Sequence, residues 1–495
     1  MPHSLPPRRS SRRARPRAGA VALVGLSLAV SLTACSDDSG GGGDGPTNGA
    51  SGSDPRGQSL SWKSCQAPDQ AQGTGDKPSP LPGGTRWQCA TMRAPLDWKD
   101  PKGASIDLAL IRAKAKDQGK RIGSLVFNFG GPGGSGVATL PAFGDTYETL
   151  RDRYDLVSFD PRGVGRSAPG EKNSRAVLPH VSTTDAARDM DLLRQVLGDK
   201  KLNYFGISYG TELGGVYAHL FPKKVGRAVF DAVVDPTENS EQGSLGQAKG
   251  FQLALDNFAD DCVKQGEDCT IGNSRDAIEK RVAKLLKDLD TKPLPGLGER
   301  RLTQSAGTGG IAQALYSKDY WPYLREGLQQ AYDGDGRVLM ALSDAMNGRN
   351  EDGSYSNITA ANVAINCADD KERYSMADVE KKLPEFREAA PLFGDFLAWS
   401  LVSCTDWAVR GAASHPDVSA PGAPPILVVG NTGDPAPPYE GAARMAKQLG
   451  KGVGVEITYK GQGHGSYDSG DACVRKAVDG YLLNGTVPKA GTVCG

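Results

Sequence analysis

The stretch "NYFGISYGTELGG", Asn203 to Gly215, decides how the chain is read. An apolar run, Leu202 to Ile207, ends at a serine between two glycines, and a helix-like pattern begins just beyond it, at Thr211 to Phe221. With 64 glycines among 495 residues, the spacing Gly206-x-Ser208-x-Gly210 carries little weight alone. Its context carries more. A serine between a strand and a helix, with small flanking residues that tolerate a strained turn, is where a nucleophilic hydroxyl is raised above a sheet edge. The helix N-terminus also favours negative charge developing nearby. A merely structural Gly-Ser turn is the alternative, and the strand–turn–helix context disfavours it.

Working outward, "IDLALIRA" (Ile106 to Ala113) alternates as a strand does, and "SLVFNF" (Ser124 to Phe129) is a continuous apolar run of the kind buried on both faces. Further short apolar runs follow at Tyr154 to Asp160, Leu202 to Ile207 and Arg227 to Val234, with helix-like stretches at Thr183 to Leu197 and Thr211 to Phe221 between them. Strands alternating with helices imply a mostly parallel, doubly wound α/β sheet. From about residue 240 to 405 the sequence reads as successive amphipathic helices, and strand signals return at "PPILVVG" (Pro424 to Gly430) and "GVEITY" (Gly454 to Tyr459). Two late strands bury both faces only by joining the earlier sheet. The expected organisation is therefore a first core segment (59–235), an inserted helical cap (236–415) and a C-terminal core segment (416–495).

A serine needs a base, and the chain has five histidines. His3 lies in the leader, His219 is eleven residues along the elbow helix, roughly 16 Å from Ser208 at 1.5 Å per residue, and His180 falls on the wrong side of the chain order. His415 precedes a strand, whereas sites in such sheets open at the C-terminal edge. His464 remains, in "GQGHGS" just past the last strand. Asp434, in "VVGNTGDPAPPYE", is the favoured acceptor for its imidazole, with Glu440 and Asp468 as alternatives. The order Ser208, Asp434, His464 is that of the α/β-hydrolase fold. For the oxyanion, the backbone N–H of Tyr209 and one from the loop "FGGPGGSG" (Phe129 to Gly136) are expected, and Gly131 is preferred over Gly130. That loop lacks the Lys-Ser/Thr of a phosphate loop and the dinucleotide G-x-G-x-x-G spacing, so no nucleotide cofactor is expected.

Composition bounds the rest. With 58 basic and 58 acidic residues the net charge is zero, which argues against a nucleic-acid partner. A cluster of arginines between Arg8 and Arg17 precedes the apolar run Ala18 to Leu32, which suits a signal-peptide core, and Leu32-Thr33-Ala34-Cys35 resembles a bacterial lipobox. Residues 1–35 are thus expected to be a lipoprotein signal with Cys35 lipidated, and 36–58 a Gly/Ser-rich tether. Export to the outer face of the cell membrane, or release from it, would follow. Eight further cysteines are expected to pair with their sequence neighbours: Cys65–Cys89, Cys262–Cys269, Cys367–Cys404 and Cys473–Cys494. No C-x-x-C or histidine pair has metal-ligand spacing.

The motifs "CATMRAPLDW", "NFGGPGGSG", "FDPRGVGRS", "GISYGTELGGVYAHLFP", "DAVVDP", "CADD", "GNTGDPAPPYE" and "GQGHGS" together resemble the secreted tripeptidyl and prolyl aminopeptidases of actinobacteria. The resemblance covers nearly everything after the tether. It implies a capped α/β-hydrolase with Ser208 as nucleophile, Asp434 and His464 as partners, and Gly131 with Tyr209 as oxyanion hole. Phe129 stands where small prolyl iminopeptidases carry histidine, which places the chain nearer the tripeptidyl branch. The resemblance also implies cap acids that grip a substrate's free amino terminus; Asp369 and Asp370, beside Cys367, are the candidates, with solvated helix-end aspartates as the alternative. Tyr320, Trp321 and Tyr323 are candidates for an apolar pocket, with packing, the more frequent role of aromatic cap residues, as the alternative. The expected protein is a monomeric serine hydrolase acting on peptides with a free N-terminus, touching the membrane only through its lipid. An esterase with the same triad, and a surface-binding lipoprotein without turnover, are the alternatives.

Overall fold

The computed structural model describes residues 54–65, 81, 85–167 and 174–495. The expected signal peptide, Cys35 and all of the tether before residue 54 lie outside them. The strands are β1 (Lys63–Ser64), β2 (Gln88–Pro95), β3 (Ser105–Ala113), β4 (Gly123–Asn128), β5 (Tyr154–Phe159), β6 (Leu202–Ile207), β7 (Val225–Asp231), β8 (Leu294–Pro295), β9 (Arg301–Leu302), β10 (Ile426–Gly433), β11 (Gly454–Gln462) and β12 (Thr492–Cys494). Ten of them form one sheet in the order β1-β2-β3-β5-β4-β6-β7-β10-β11-β12. β1, β2 and β3 run antiparallel, and every pairing from β5 through β12 is parallel. This is the α/β-hydrolase fold.

The centre of the sheet follows from its sequence. Every residue of β4 and β5 is buried, which only a strand covered on both faces needs. β10 pairs with β7 although 198 positions separate Ile426 from its partner Ala228, so the C-terminal segment does complete the earlier sheet. Sequence periodicity missed β12 and the short β1, both edge strands with little apolar signal; the disulfides Cys65–Cys89 and Cys473–Cys494 tie them in place.

Between Asp235 and Ile426 the chain is mainly helical, from Ser240–Lys264 to Gly394–Ser400, with one short hairpin, β8 with β9. Phe251, Phe258, Trp321, Leu328 and Phe386 form a separate core there. The first helix starts at a reciprocal cap, in which Asn239 and Gln242 satisfy each other's backbone N–H groups. The helices rest on the loops of the sheet. A Cβ on Gly250 would lie 2.3 Å from the Pro435 carbonyl oxygen, and one on Gly133 2.7 Å from that of Ile358, so both contacts are backbone against backbone. Cys262–Cys269 and Cys367–Cys404 close within this region, so all four expected pairs form. Disulfides on this scale belong to a protein that matures in an oxidising compartment. No helix of the described residues is long and apolar enough to cross a membrane.

Candidate active site

Ser208 sits where β6 hands over to the helix Tyr209–Leu220, with φ 58° and ψ −128°. A non-glycine residue in that region is strained, and such strain persists only where the surroundings enforce it. Here they do. A Cβ on Gly206 would lie 2.4 Å from the Gly210 carbonyl oxygen, and one on Gly210 2.5 Å from that of Asn128, so only glycine fits on either side of the serine. Tyr204 Oη donates to Gly210 O at 2.7 Å, and Thr211 Oγ1 to Ser208 O at 2.7 Å, which locks the turn.

The glycine-rich loop of Phe129 to Gly136 follows β4, next to β6. Gly130 N–H donates to Asn128 Oδ1 at 3.0 Å and is therefore spent. Gly130 itself packs on the elbow: a Cβ there would meet Ser208 Cβ at 2.8 Å and Tyr209 N at 3.2 Å. This arrangement brings Gly131 and Tyr209 beside the serine, and both line the same cleft as Ser208. Asn362 Nδ2 donates to Pro132 O at 3.1 Å, so a cap helix, Ile358–Asp369, steadies the loop.

Asp434 follows β10 and is 3 % exposed. Its Oδ1 accepts from His464 Nδ1 at 2.9 Å and its Oδ2 from Gly465 N at 3.1 Å. Nδ1 is thereby the protonated nitrogen, which leaves Nε2 free to accept a proton. Asn431 Nδ2 donates to the Gly463 and Gly465 carbonyls, the backbone carbonyl of Tyr316, from the cap, accepts the backbone N–H of His464 at 2.7 Å, and the Tyr316 ring stands edge-on to the imidazole at 5.2 Å. Burial disfavours the charged imidazolium, but the negative charge and hydrogen bond of Asp434, with Asp231 and Asp468 behind it, outweigh burial and raise the His464 pKa above its ordinary value. Asp468 instead accepts from Tyr147 Oη at 3.1 Å, and Glu440 begins the helix Glu440–Leu449; neither holds the imidazole. His219 hydrogen-bonds Ser419 O at 2.7 Å.

A cleft of about 2420 Å³ lies over Ser208 and is walled by the cap. It exceeds the roughly 300–1,000 Å³ of a small-molecule pocket and suits an extended chain. Asp369 and Asp370 both border it. Asp369 accepts from Thr183 N (2.9 Å) and Thr183 Oγ1 (2.6 Å), and Thr183 Oγ1 also bonds Tyr209 Oη at 2.5 Å. Burial pushes its carboxyl up to about 7 despite those bonds. Asp370 turns to its own chain, accepting from Glu372 N at 2.7 Å.

Sequence reading missed Glu212, one turn along the elbow helix from Ser208. It also borders the cleft, makes no hydrogen bond among the described residues, and is pushed up to about 8 by burial and by the nearby Asp369 carboxylate. The i, i+4 spacing in "SYGTE" was the available signal, since it sets Glu212 on the serine's side of the helix. Conversely, Tyr320, Trp321 and Tyr323 do not border the cleft. Trp321 is buried edge-on against Phe258 in the cap core, and Tyr323 is exposed, because their helix turns one face inward and the other to solvent.

Comparison with known proteins agrees with this geometry. Residues 390–494 match a family model described as TAP-like protein. Over 492 residues the chain is 35% identical to serine protease Hip1 of Mycobacterium tuberculosis, covering 88% of this chain and 91% of that protein. It is 33% identical to carboxylesterase B of the same species (82% and 86% covered) and 29% identical to tripeptidyl aminopeptidase of Streptomyces coelicolor (88% and 86%). The chain belongs to the tripeptidyl-aminopeptidase family of actinobacterial α/β-hydrolase serine peptidases.

Proposed function

We propose that this serine hydrolase is an extracytoplasmic aminopeptidase of tripeptidyl or prolyl type, releasing short peptides from free amino ends through an acyl-enzyme on Ser208. His464 Nε2 takes the Ser208 proton as the hydroxyl attacks the scissile carbonyl carbon, and Asp434 stabilises the imidazolium. Gly131 and Tyr209 N–H groups take the oxyanion charge. The imidazolium then protonates the leaving amine, and a water, deprotonated by the same nitrogen, hydrolyses the ester.

The observation that carries the amino-end reading is Glu212. A carboxyl without a hydrogen-bonding partner, beside a second acid and one helical turn from the nucleophile, is matched by an ammonium group, whose charge would stabilise both carboxylates. Asp369, fixed by Thr183 and close to the Cys367–Cys404 bridge, is its partner in this reading, and Asp370 plays the lesser part. The expected setting is a monomer anchored outside the membrane through lipid on Cys35, with neither a nucleic-acid partner nor a cofactor.

Hydrolysis of chromogenic Ala-Ala-Pro amides, free and N-acetylated, tests the proposal. A preference of at least tenfold for the free amine is expected, and equal rates would refute the amine anchor. The likeness to a carboxylesterase supports a second reading, an esterase on the same triad; faster turnover of short acyl esters than of any free-amine peptide would favour it. Failure of a fluorophosphonate to label Ser208 would leave a binding protein.

A further inference from the structure

Asp231 ends β7 and is 2 % exposed, yet it has no place in the proton transfers above. Its bonds reach both halves of the machinery. Its backbone carbonyl accepts the Ser208 N–H at 3.1 Å, which fixes the elbow. Its carboxylate accepts from the loop that carries the base: Ser466 N reaches Oδ1 at 3.0 Å and Oδ2 at 2.9 Å, and Tyr467 N reaches Oδ2 at 2.9 Å. Ala232 N–H closes on Oδ1 at 2.9 Å, and Ala232 itself is held at φ 53°, a conformation alanine rarely adopts. Both carboxylate oxygens are thus engaged by backbone donors. An aspartate buried only for the fold has no need of partners from the two loops whose spacing sets the reaction.

We infer that Asp231 is a positioning residue: through one peptide carbonyl and one carboxylate it fixes the His464 loop relative to the Ser208 elbow. The other groups around it are consistent. Asp434, Asp468, Tyr147 and His464 are the titratable groups that face it. Asp434 orients the imidazole ring; Asp231 places the backbone that bears it. A carboxamide has one acceptor oxygen, so Asp231→Asn keeps the size and the backbone link to Ser208 but leaves one side of the loop facing an NH2 donor.

The test uses the mature protein and the rate of fluorophosphonate labelling, which needs no knowledge of the substrate and therefore stands or falls separately from the aminopeptidase reading. For a folded D231N variant, labelling is expected to slow by about tenfold or more, with kcat on any turned-over peptide amide falling alike and KM within about threefold. The acid limb of the labelling rate should also move to lower pH, because one of the negative neighbours that raise His464 is gone. A purely structural residue would lower the melting temperature without moving that limb. If D231N does not fold, Asp231→Ser, which leaves room for a water, should show the same slowing and limb shift. Labelling within about twofold of the parent protein with an unmoved limb would overturn the inference. So would failure of both variants to fold, since Asp231 would then serve the fold alone.

Discussion

Asp434 divides its two oxygens between His464 Nδ1 at 2.9 Å and Gly465 N at 3.1 Å, so one carboxylate fixes both the ring and the loop carrying it. Asp434→Asn should lower kcat by about 10⁴ with little change in KM, because the amide favours the wrong tautomer. Steady-state kinetics on a free-amine peptide amide checks this. Loss of less than tenfold would point to another acid, Asp468 first.

At Gly131, φ 110° and the crowding of any Cβ against Gly133 N at 2.8 Å leave no room for a side chain. Gly131→Ala should displace the oxyanion donor and cost about 10²–10³ in kcat, while Ser208 remains labelled, more slowly, by a fluorophosphonate. A near-normal kcat would remove Gly131 from the oxyanion hole.

Glu212 makes opposite demands on function and stability. Glu212→Gln should raise KM for a free-amine peptide by about tenfold or more and leave an N-acetylated ester untouched, since only the former brings a positive charge. The folded-state pKa of about 8 lies above the ordinary value of 4.5, so folding favours the protonated acid and stability is lost as pH rises between those values. The glutamine variant should therefore melt higher than the parent at pH 8 and nearly equal to it at pH 4.5. Calorimetry at both pH values decides; equal melting throughout would contradict an unpaired carboxyl at 212.

The pH profile separates the base from the amine anchor. His464 must be neutral to act, and its pKa is raised, so the acid limb of kcat should sit above the ordinary histidine value of 6.5. For free-amine substrates, KM should pass through an optimum as pH rises through about 7 to 8, because the two acids ionise while the substrate's α-amino group, ordinarily titrating at about 7.7–8.0, begins to lose its charge. N-acetylated substrates should show the first effect only. A single shared limb for both would remove the carboxyl pair from recognition.

Cys367–Cys404 closes a loop with a separation of 37 residues two positions before Asp369. Replacing both cysteines by serine should cost about 4 kcal/mol by loop-closure entropy, read from denaturant melts. The same variant should raise KM more than it lowers kcat, because the bridge holds Asp369 and not the triad. An unchanged KM would mean that the cap keeps Asp369 in place without it.

Much of this architecture was legible in the sequence, for local reasons. The continuous apolar runs at β4, β5, β6 and β10 are a direct record of strands buried on both faces, and β6 matches its expected span, Leu202 to Ile207. Elsewhere the ends moved: β7 stops at Asp231, three residues before the apolar run does, because Ala232 turns out of the sheet at φ 53°. Ser208, Asp434 and His464 were selected because each follows a strand in a fixed order, and the cysteine pairs were reachable because neighbours close the smallest loops.

What sequence could not supply depends on which distant surfaces meet. Glu212 looked like any helix-surface glutamate until the cap closed over it and Asp369 came within electrostatic reach. Asp231 read as an interior position of the strand Arg227 to Val234, and its tie to Ser466 spans 235 positions. The aromatic residues near 320 were open to a pocket or a packing role, because aromatic type is visible in sequence, whereas the face that a cap helix presents to its own core is not. Local pattern fixes which residues are chemically able to act; the long-range packing of cap, elbow and loop decides which of them share one cleft, because burial and charge proximity arise only when those surfaces are brought together.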